Sequence, residues 1–222
     1  MRLPSNDSRN LLAAQVEKQH GQLLADGADG PAISYLAERG IDPASIERFQ
    51  LGYDGRRLVI PYLTPAGPLL TRRRCITCAS KCEGHARYLD SDGAETHLFN
   101  AQTLRGADRV VVTEGELDAI SVEQAGISAV GYPGAQRWMK QPHFRWCFDS
   151  LDEVIVVCDG DEPEVGETEG TGEKAGRRVA KSLRDALPDV LVTVAVMPVG
   201  HDSNSFIKQY GVMDFVEKIG WV

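Results

Sequence analysis

Val110-Val111-Val112-Thr113-Glu114-Gly115-Glu116-Leu117-Asp118 and Val154-Ile155-Val156-Val157-Cys158-Asp159-Gly160-Asp161 are the stretches on which the fold turns. Each is a β-branched apolar run that stops on acids, the pattern of a buried strand with a polar exit. If the two strands lie side by side and parallel, Glu114, Asp159 and Asp161 gather at one edge of a sheet. Asp118, four residues beyond Glu114, stands one helical turn on and can share its side. Gly115 permits the tight turn between strand and helix. An Asp-x-Asp spacing at a strand end points both side chains the same way. Carboxylates crowd together at a cost that a divalent cation relieves, so the pattern predicts a metal site. The competing reading is surface acids capping helices. A lone Asp-x-Asp belongs mostly to that reading; two acidic strand ends in one α/β unit are less easily dismissed.

Outward from these runs the pattern alternates. Strands are expected near 109–113, 127–131, 154–158 and 191–197, with helices near 116–125, 172–187, 204–210 and 212–218. Such alternation implies a Rossmann-like parallel sheet flanked by helices, with sites beyond the carboxyl ends of the strands. Upstream the reading is a smaller mixed α+β subdomain. A helix spans 8–25, with Leu11, Leu12, Val16, Leu23 and Leu24 at roughly helical spacing. A turn-rich break leads to Ala32–Glu38, and Asp42-Pro43 opens a further helix as N-cap and first-turn proline. Residues 57–63 and 67–74 form a hairpin around Pro65-Ala66-Gly67, and 75–97 read as irregular. The expected division is an N-terminal helical segment 1–30, a basic subdomain 31–105 and an α/β domain 106–222.

The net charge of −8 over 222 residues conceals an asymmetry. Arg56, Arg57, Arg72, Arg73, Arg74, Lys81 and Arg87 face only Glu83 within residues 56–87. A basic segment and an acidic site in one chain suit a polyanion held close to bound metal; the bland alternative is a charge-mixed solvated surface. No apolar run approaches a membrane span or a signal peptide, and five cysteines fit a reducing compartment, so a cytoplasmic protein is expected. Cys75-x2-Cys78-x3-Cys82-x2-His85 supplies four candidate zinc ligands in eleven residues. Packing all four in one loop is tight, and free thiols in a basic loop are the other reading. Cys147 and Cys158 read as core, and Trp138, Phe144 and Trp146 as packing for the helix after Gly134. His20 and His143 have no partners legible in sequence. Gly170–Gly176 lacks the spacing of a phosphate-binding P-loop, but Lys174 at that helix start could reach a phosphate. Residues 162–171 read as an acidic loop near the metal site, able to order on nucleotide binding.

Thr113-Glu114-Gly115-Glu116-Leu117-Asp118-Ala119, Val130-Gly131-Tyr132-Pro133-Gly134 and Val157-Cys158-Asp159-Gly160-Asp161 resemble the Toprim domain of topoisomerases and DnaG-like primases. The resemblance extends upstream. Tyr35-Leu36-Ala37-Glu38-Arg39-Gly40-Ile41, Arg57-Leu58-Val59-Ile60-Pro61-Tyr62, Arg87-Tyr88-Leu89 and His97-Leu98-Phe99-Asn100 follow the order of the DnaG-like RNA polymerase core. Met197-Pro198-Val199-Gly200-His201-Asp202-Ser203-Asn204 resembles its Pro-x-Gly-Lys-Asp-Pro-Asp/Asn segment. The matches cover about residues 32–210.

The resemblance implies a metal-dependent DNA primase core, a nucleotidyltransferase that makes RNA primers on single-stranded DNA from NTPs. It assigns catalysis to Glu114, Asp118, Asp159 and Asp161, and Mg²⁺ or Mn²⁺ to Glu114, Asp159, Asp161 and Asp202. Arg57, Arg72, Arg73, Arg74, Arg87 and Lys174 would contact template or nucleotide phosphate. The alternatives are a Toprim nuclease and a non-catalytic single-stranded nucleic-acid-binding replisome module. His201 stands where the family usually has Lys, and Asn204 replaces a potential acid. No zinc ribbon precedes the core, and the sequence runs only a short way past Asp202. A separate zinc-binding or helicase-binding polypeptide, or a replicative helicase, is therefore an expected partner, an arrangement that suits a phage acting in its host's cytoplasm.

Overall fold

The computed structural model describes residues 6–78, 82–91 and 95–221. Lys81 of the basic segment lies outside the described residues. The chain divides into two compact units, Met1–Glu95 and Thr96–Val222.

In the first unit, α1 (Asn6–Ala25), α2 (Pro31–Glu38) and α3 (Pro43–Arg48) precede an antiparallel sheet of β1 (Gly52–Tyr53), β2 (Arg57–Thr64), β3 (Gly67–Cys75) and β4 (Tyr88–Asp90), in that spatial order. Asp42 caps α3 by accepting the Ser45 backbone N–H at 2.6 Å, and Pro43 occupies the first turn, as its fixed φ suits. Only Val16 and Leu23 of the five expected α1 residues are fully buried, while Leu11 and Leu24 face solvent. His20 has two partners that no local pattern could reveal: Nδ1 lies 2.7 Å from the Leu51 carbonyl and Nε2 3.1 Å from Glu47. The stretch expected to be irregular contains β4. It pairs Arg72 with Asp90, Arg73 with Leu89 and Arg74 with Tyr88. Three residues carry too little periodicity to be told from loop; β3 imposes the strand by supplying the ladder.

The second unit builds β5 (Arg109–Thr113), α4 (Glu116–Gln124), β6 (Ala129–Gly131), α5 (Ala135–Met139), β7 (Glu153–Cys158), α6 (Thr171–Ala186), β8 (Leu191–Val196), α7 (Ser203–Tyr210) and α8 (Val212–Ile219). Its sheet is parallel, in the order β6-β5-β7-β8. The chain steps from β5 to β6 on one side, then returns to place β7 on the other. The strand order therefore reverses between β5 and β7, where open α/β sheets form their sites. Val110, Val111 and Val112 are wholly buried because helices cover both faces of a central parallel strand. Val110, Val112, Val154, Val156 and Cys158 pack with Trp138, Phe144, Phe148, Val179 and Leu183. Trp138 also donates its indole N–H to Ser182 at 2.7 Å. Two core expectations are corrected. Trp146 is 59% exposed and Cys147 is exposed, because Pro142–Phe148 forms a 3-10 turn that buries Phe144 and Phe148 and turns the residues between them outward. The two-residue bridge of Phe99 with Gly131 continues the edge of this sheet.

Candidate active site

Glu114 follows β5 directly and Asp159 follows β7, so the parallel register of Val112 with Val156 sets both at the carboxyl edge of neighbouring strands. Gly115 begins α4, and a Cβ there would collide with the Asp118 carboxylate. The glycine thus lets Asp118, buried in the first turn of α4, fold back toward the strand end. A Cβ at Gly172 would lie 2.9 Å from the Asp159 backbone oxygen, so the start of α6 can press on the Asp159–Asp161 turn only without a side chain.

The Asp-x-Asp pair is not set by the pleat, since β7 ends at Cys158. Asp159 is partly buried. Asp161 is exposed, and its Oδ2 accepts the Gly172 backbone N–H at 2.8 Å, which fixes it at the N-terminus of α6. Asp202 likewise caps α7, accepting the Ser205 N–H at 2.7 Å in a reciprocal capping box. Asp118 accepts the Asn204 backbone N–H at 3.0 Å, and the Asn204 amide donates to Ser121 at 2.7 Å. The capping reading was therefore correct for part of the cluster. A carboxylate has two oxygens, so an oxygen engaged in a cap leaves another for a cation.

The electrostatics show what the caps do not. Burial, and then the charges of Asp118, Asp202, Glu114 and Asp161, push Asp159 up to about 9. Glu114 is raised by burial and by Asp161. The Tyr132 hydroxyl, buried and outside regular hydrogen-bond geometry, lies against Glu114 and partly offsets that rise. Tyr132 is itself raised by burial and by the Glu114 and Asp159 charges. Burial and four neighbouring carboxyl groups thus act together on Asp159, and a donor set of hard oxygens fits Mg²⁺ or Mn²⁺, which need only one or two direct carboxylates and keep several waters. Tyr132 was missed as a site residue. The signal for it was its place directly after a strand that neighbours the Glu114 strand.

The basic residues are not one patch. Successive strand residues face opposite ways. Arg72 pairs with Asp90 at 3.2 Å and stacks over Tyr88. Arg74, 7% exposed, donates to the Tyr88 hydroxyl and lies over the Tyr35 and Tyr88 rings. Arg73 faces the other side with Arg57, which donates to the Arg87 carbonyl at 3.2 Å. Lys174 pairs with Glu167, and Arg177 with Glu169 and Glu173, so α6 tethers the acidic loop.

At the end of β3, Cys75, Cys78, Cys82 and His85 do converge, their ligand atoms all within 4.8 Å of one another, as a group able to hold a metal. The Thr77 hydroxyl, followed by His85, pulls Cys75 down to about 5, and the Cys78 contact, with burial next, pushes Cys82 up to about 11. No helix among the described residues is long and apolar enough to cross a membrane.

No family model matches the chain. The Gene 57 protein of Mycobacterium phage D29 is 36% identical over 138 residues, which cover 62% of this chain and 80% of that protein. A DNA primase of Pasteurella multocida is 26% identical over a 259-position alignment covering 93% of this chain. The chain spans only 42% of that primase's length. Among solved structures, the Aquifex aeolicus primase (zinc-binding and RNA polymerase domains) superposes with a TM-score of 0.75 at 22% identity, covering 98% of this chain and 62% of the other.

Proposed function

The chain belongs to the family of DnaG-like primase catalytic cores, and from that membership we propose that it is a metal-dependent primase core that extends RNA on a single-stranded DNA template. One observation carries this reading furthest: at the carboxyl edge of the sheet, burial and then the charges of Asp118, Asp202, Glu114 and Asp161 hold Asp159 up to about 9. Such crowding has a use where a cation and a triphosphate complete the site. Glu114, Asp159, Asp161 and Asp202 would hold Mg²⁺ or Mn²⁺, which when bound offers Lewis-acid stabilisation of phosphoryl oxygens.

The residues of this chain supply the rest. Glu114 has a raised pKa and is suited to take the proton of the attacking 3′-hydroxyl as its oxygen bonds to the α-phosphorus and pyrophosphate leaves. Tyr132 lies against Glu114 and biases its charge. Asp118, held by the Asn204 backbone, orients the cluster rather than contacting substrate. Arg57, Arg73 and Arg87 are assigned to template or triphosphate oxygens, where guanidinium forks fit well. Lys174 would reach phosphate by releasing Glu167. The expected setting is cytoplasmic, in the host if the chain is phage-encoded, with a helicase or a separate template-recognition chain as partner.

The test is primer synthesis with labelled NTPs on single-stranded template in Mn²⁺ or Mg²⁺. Short RNA products that vanish in Glu114→Gln support the reading. No product, even with candidate partner chains added, counts against it. Metal-dependent nicking without NTPs would reassign the same carboxylates to a nuclease, and DNA binding that persists in chelator without any chemistry would make the chain a binding module.

A further inference from the structure

The carboxylate chemistry makes no use of the loop between β3 and β4, yet four soft donors meet there. Cys75 Sγ lies 3.6 Å from Cys78 Sγ and 3.3 Å from His85 Nε2, and Cys78 Sγ lies 3.5 Å from the same nitrogen. A tetrahedral zinc with Zn–S of about 2.3 Å and Zn–N of about 2.1 Å has sulfur–sulfur edges of roughly 3.8 Å and sulfur–nitrogen edges of roughly 3.6 Å. The three edges among Cys75, Cys78 and His85 agree to within a few tenths of an ångström, and the Cys82 sulfur lies within 4.8 Å of the other three ligand atoms. A disulfide does not account for them, because Cys75, Cys78 and Cys82 are free and a bonded pair would close to about 2.05 Å.

The histidine adds a second, independent sign. His85 Nδ1 lies 3.2 Å from the Glu83 carbonyl, so Nδ1 carries the hydrogen and Nε2 presents its lone pair to the sulfurs. A metal-binding histidine is oriented in this way by a carbonyl behind it. The base of the loop is also pinned, since the Cys75 backbone N–H donates to the Arg87 carbonyl at 2.8 Å and prolongs the β3–β4 ladder.

We propose that Cys75, Cys78, Cys82 and His85 bind one zinc ion as a structural clasp on the β3–β4 loop. All four coordination positions come from protein, which marks a closed site with no place for a substrate. Cys75 stands opposite Arg57 in the β2–β3 register, and Arg57 holds the Arg87 carbonyl, so the clasp sets the edge that carries these two arginines. Zinc binding here stands whether or not the chain makes primers.

The experiment measures metal in the full chain, purified under reducing conditions without added zinc, and then replaces zinc with cobalt(II). About one zinc per chain and a cobalt spectrum with thiolate charge-transfer bands and tetrahedral d–d bands are expected. Cys78→Ser should weaken the charge-transfer bands, and Cys147→Ser, outside the loop, should leave metal content and spectrum unchanged. Wild-type protein that takes up no zinc and gives only the spectrum of hydrated cobalt overturns the proposal, and so does a Cys75–Cys78 disulfide recovered in its place. Zinc content unchanged in both Cys78→Ser and His85→Ala overturns it as well, since the metal then sits elsewhere. The cobalt titration of the unmutated chain decides the matter even if a variant fails to fold.

Discussion

The β3 strand and the β5–β7 edge both concentrate charge, but they treat it in opposite ways. Along β3, Arg72 is matched by Asp90, and Arg74 is buried between Tyr35 and Tyr88, its guanidinium donating to the Tyr88 hydroxyl. At the carboxyl edge of β5 and β7, five carboxyl groups are gathered; Asp161 accepts the Gly172 backbone N–H, Asp118 that of Asn204 and Asp202 that of Ser205. Charges matched within the fold contribute to the fold. Carboxyl groups buried beside one another cost stability and signal something to be bound. The difference identifies which acids to mutate for function and which arginines to mutate for stability.

The largest expected effect tests the acidic side. Asp159→Asn should lower primer synthesis by at least about a hundredfold, the scale seen when one preorganised electrostatic contact is lost. In chelator it should also stabilise the protein at alkaline pH. The sign follows from the raised pKa: folded Asp159 holds its proton up to about 9, whereas the unfolded residue has released it by about 4. Stability from this group is therefore full below the unfolded pKa and falls as pH climbs from about 4 to about 9. Melting curves in chelator at pH 6 and pH 9 check this. The decline should be steeper in wild type than in Asp159→Asn, and Mg²⁺ should reduce it. Equal slopes would mean that the carboxylates are not crowded, and the contrast with β3 would disappear.

Arg74→Ala comes next and tests the other side. It removes two ring contacts and the donor to the Tyr88 hydroxyl, at a cost of about 2–3 kcal/mol in denaturant unfolding. Arg73→Ala, one residue away on the opposite face, should change stability by less than about 0.5 kcal/mol. It should instead weaken binding to single-stranded DNA and lower the salt slope of log K by roughly 0.7, the loss of one phosphate contact on a single strand. If both variants change stability alike and neither changes the salt slope, the arginine run is one structural element and not a divided one.

This division was only half legible in the sequence. Val110–Val112 and Val154–Val157 declared their strands because a central parallel strand needs apolar residues on both faces, and that requirement is written locally. The Glu114, Asp118 and Asp159 association followed from strand adjacency alone. Asp161 and Asp202 were harder, because their positions depend on the Gly172 and Ser205 backbone N–H groups of helices that follow them. The two faces of β3 could not be assigned without knowing that β4 exists, and β4 exists only because β3 offers it a ladder. Trp146 and Cys147 were misplaced because the apolar run 144–148 does not say which of its members face the core, and Pro142–Phe148 buries only Phe144 and Phe148. Tyr132 stood in plain view beside Gly131, but its role needed the spatial order of β5 and β6.

Lys174 gives the smallest effect and the finest distinction. It is a basic residue on the acidic unit, paired with Glu167 across a largely solvated surface. Such a pair contributes at most about 1 kcal/mol and commonly much less, so Lys174→Ala should leave unfolding nearly unchanged. Nucleotide affinity is the more sensitive measure. If Lys174 exchanges Glu167 for a phosphate, then Glu167→Gln frees the ammonium and should tighten NTP binding a few-fold, whereas Lys174→Ala should weaken it by a similar factor. Titration calorimetry with an NTP in Mg²⁺ reads both. Opposite shifts would make the acidic loop a competitor for the triphosphate, displaced as nucleotide enters. Shifts in the same direction, or none, would leave Lys174 as a loop tether, matched within the fold like Arg72 and Arg74.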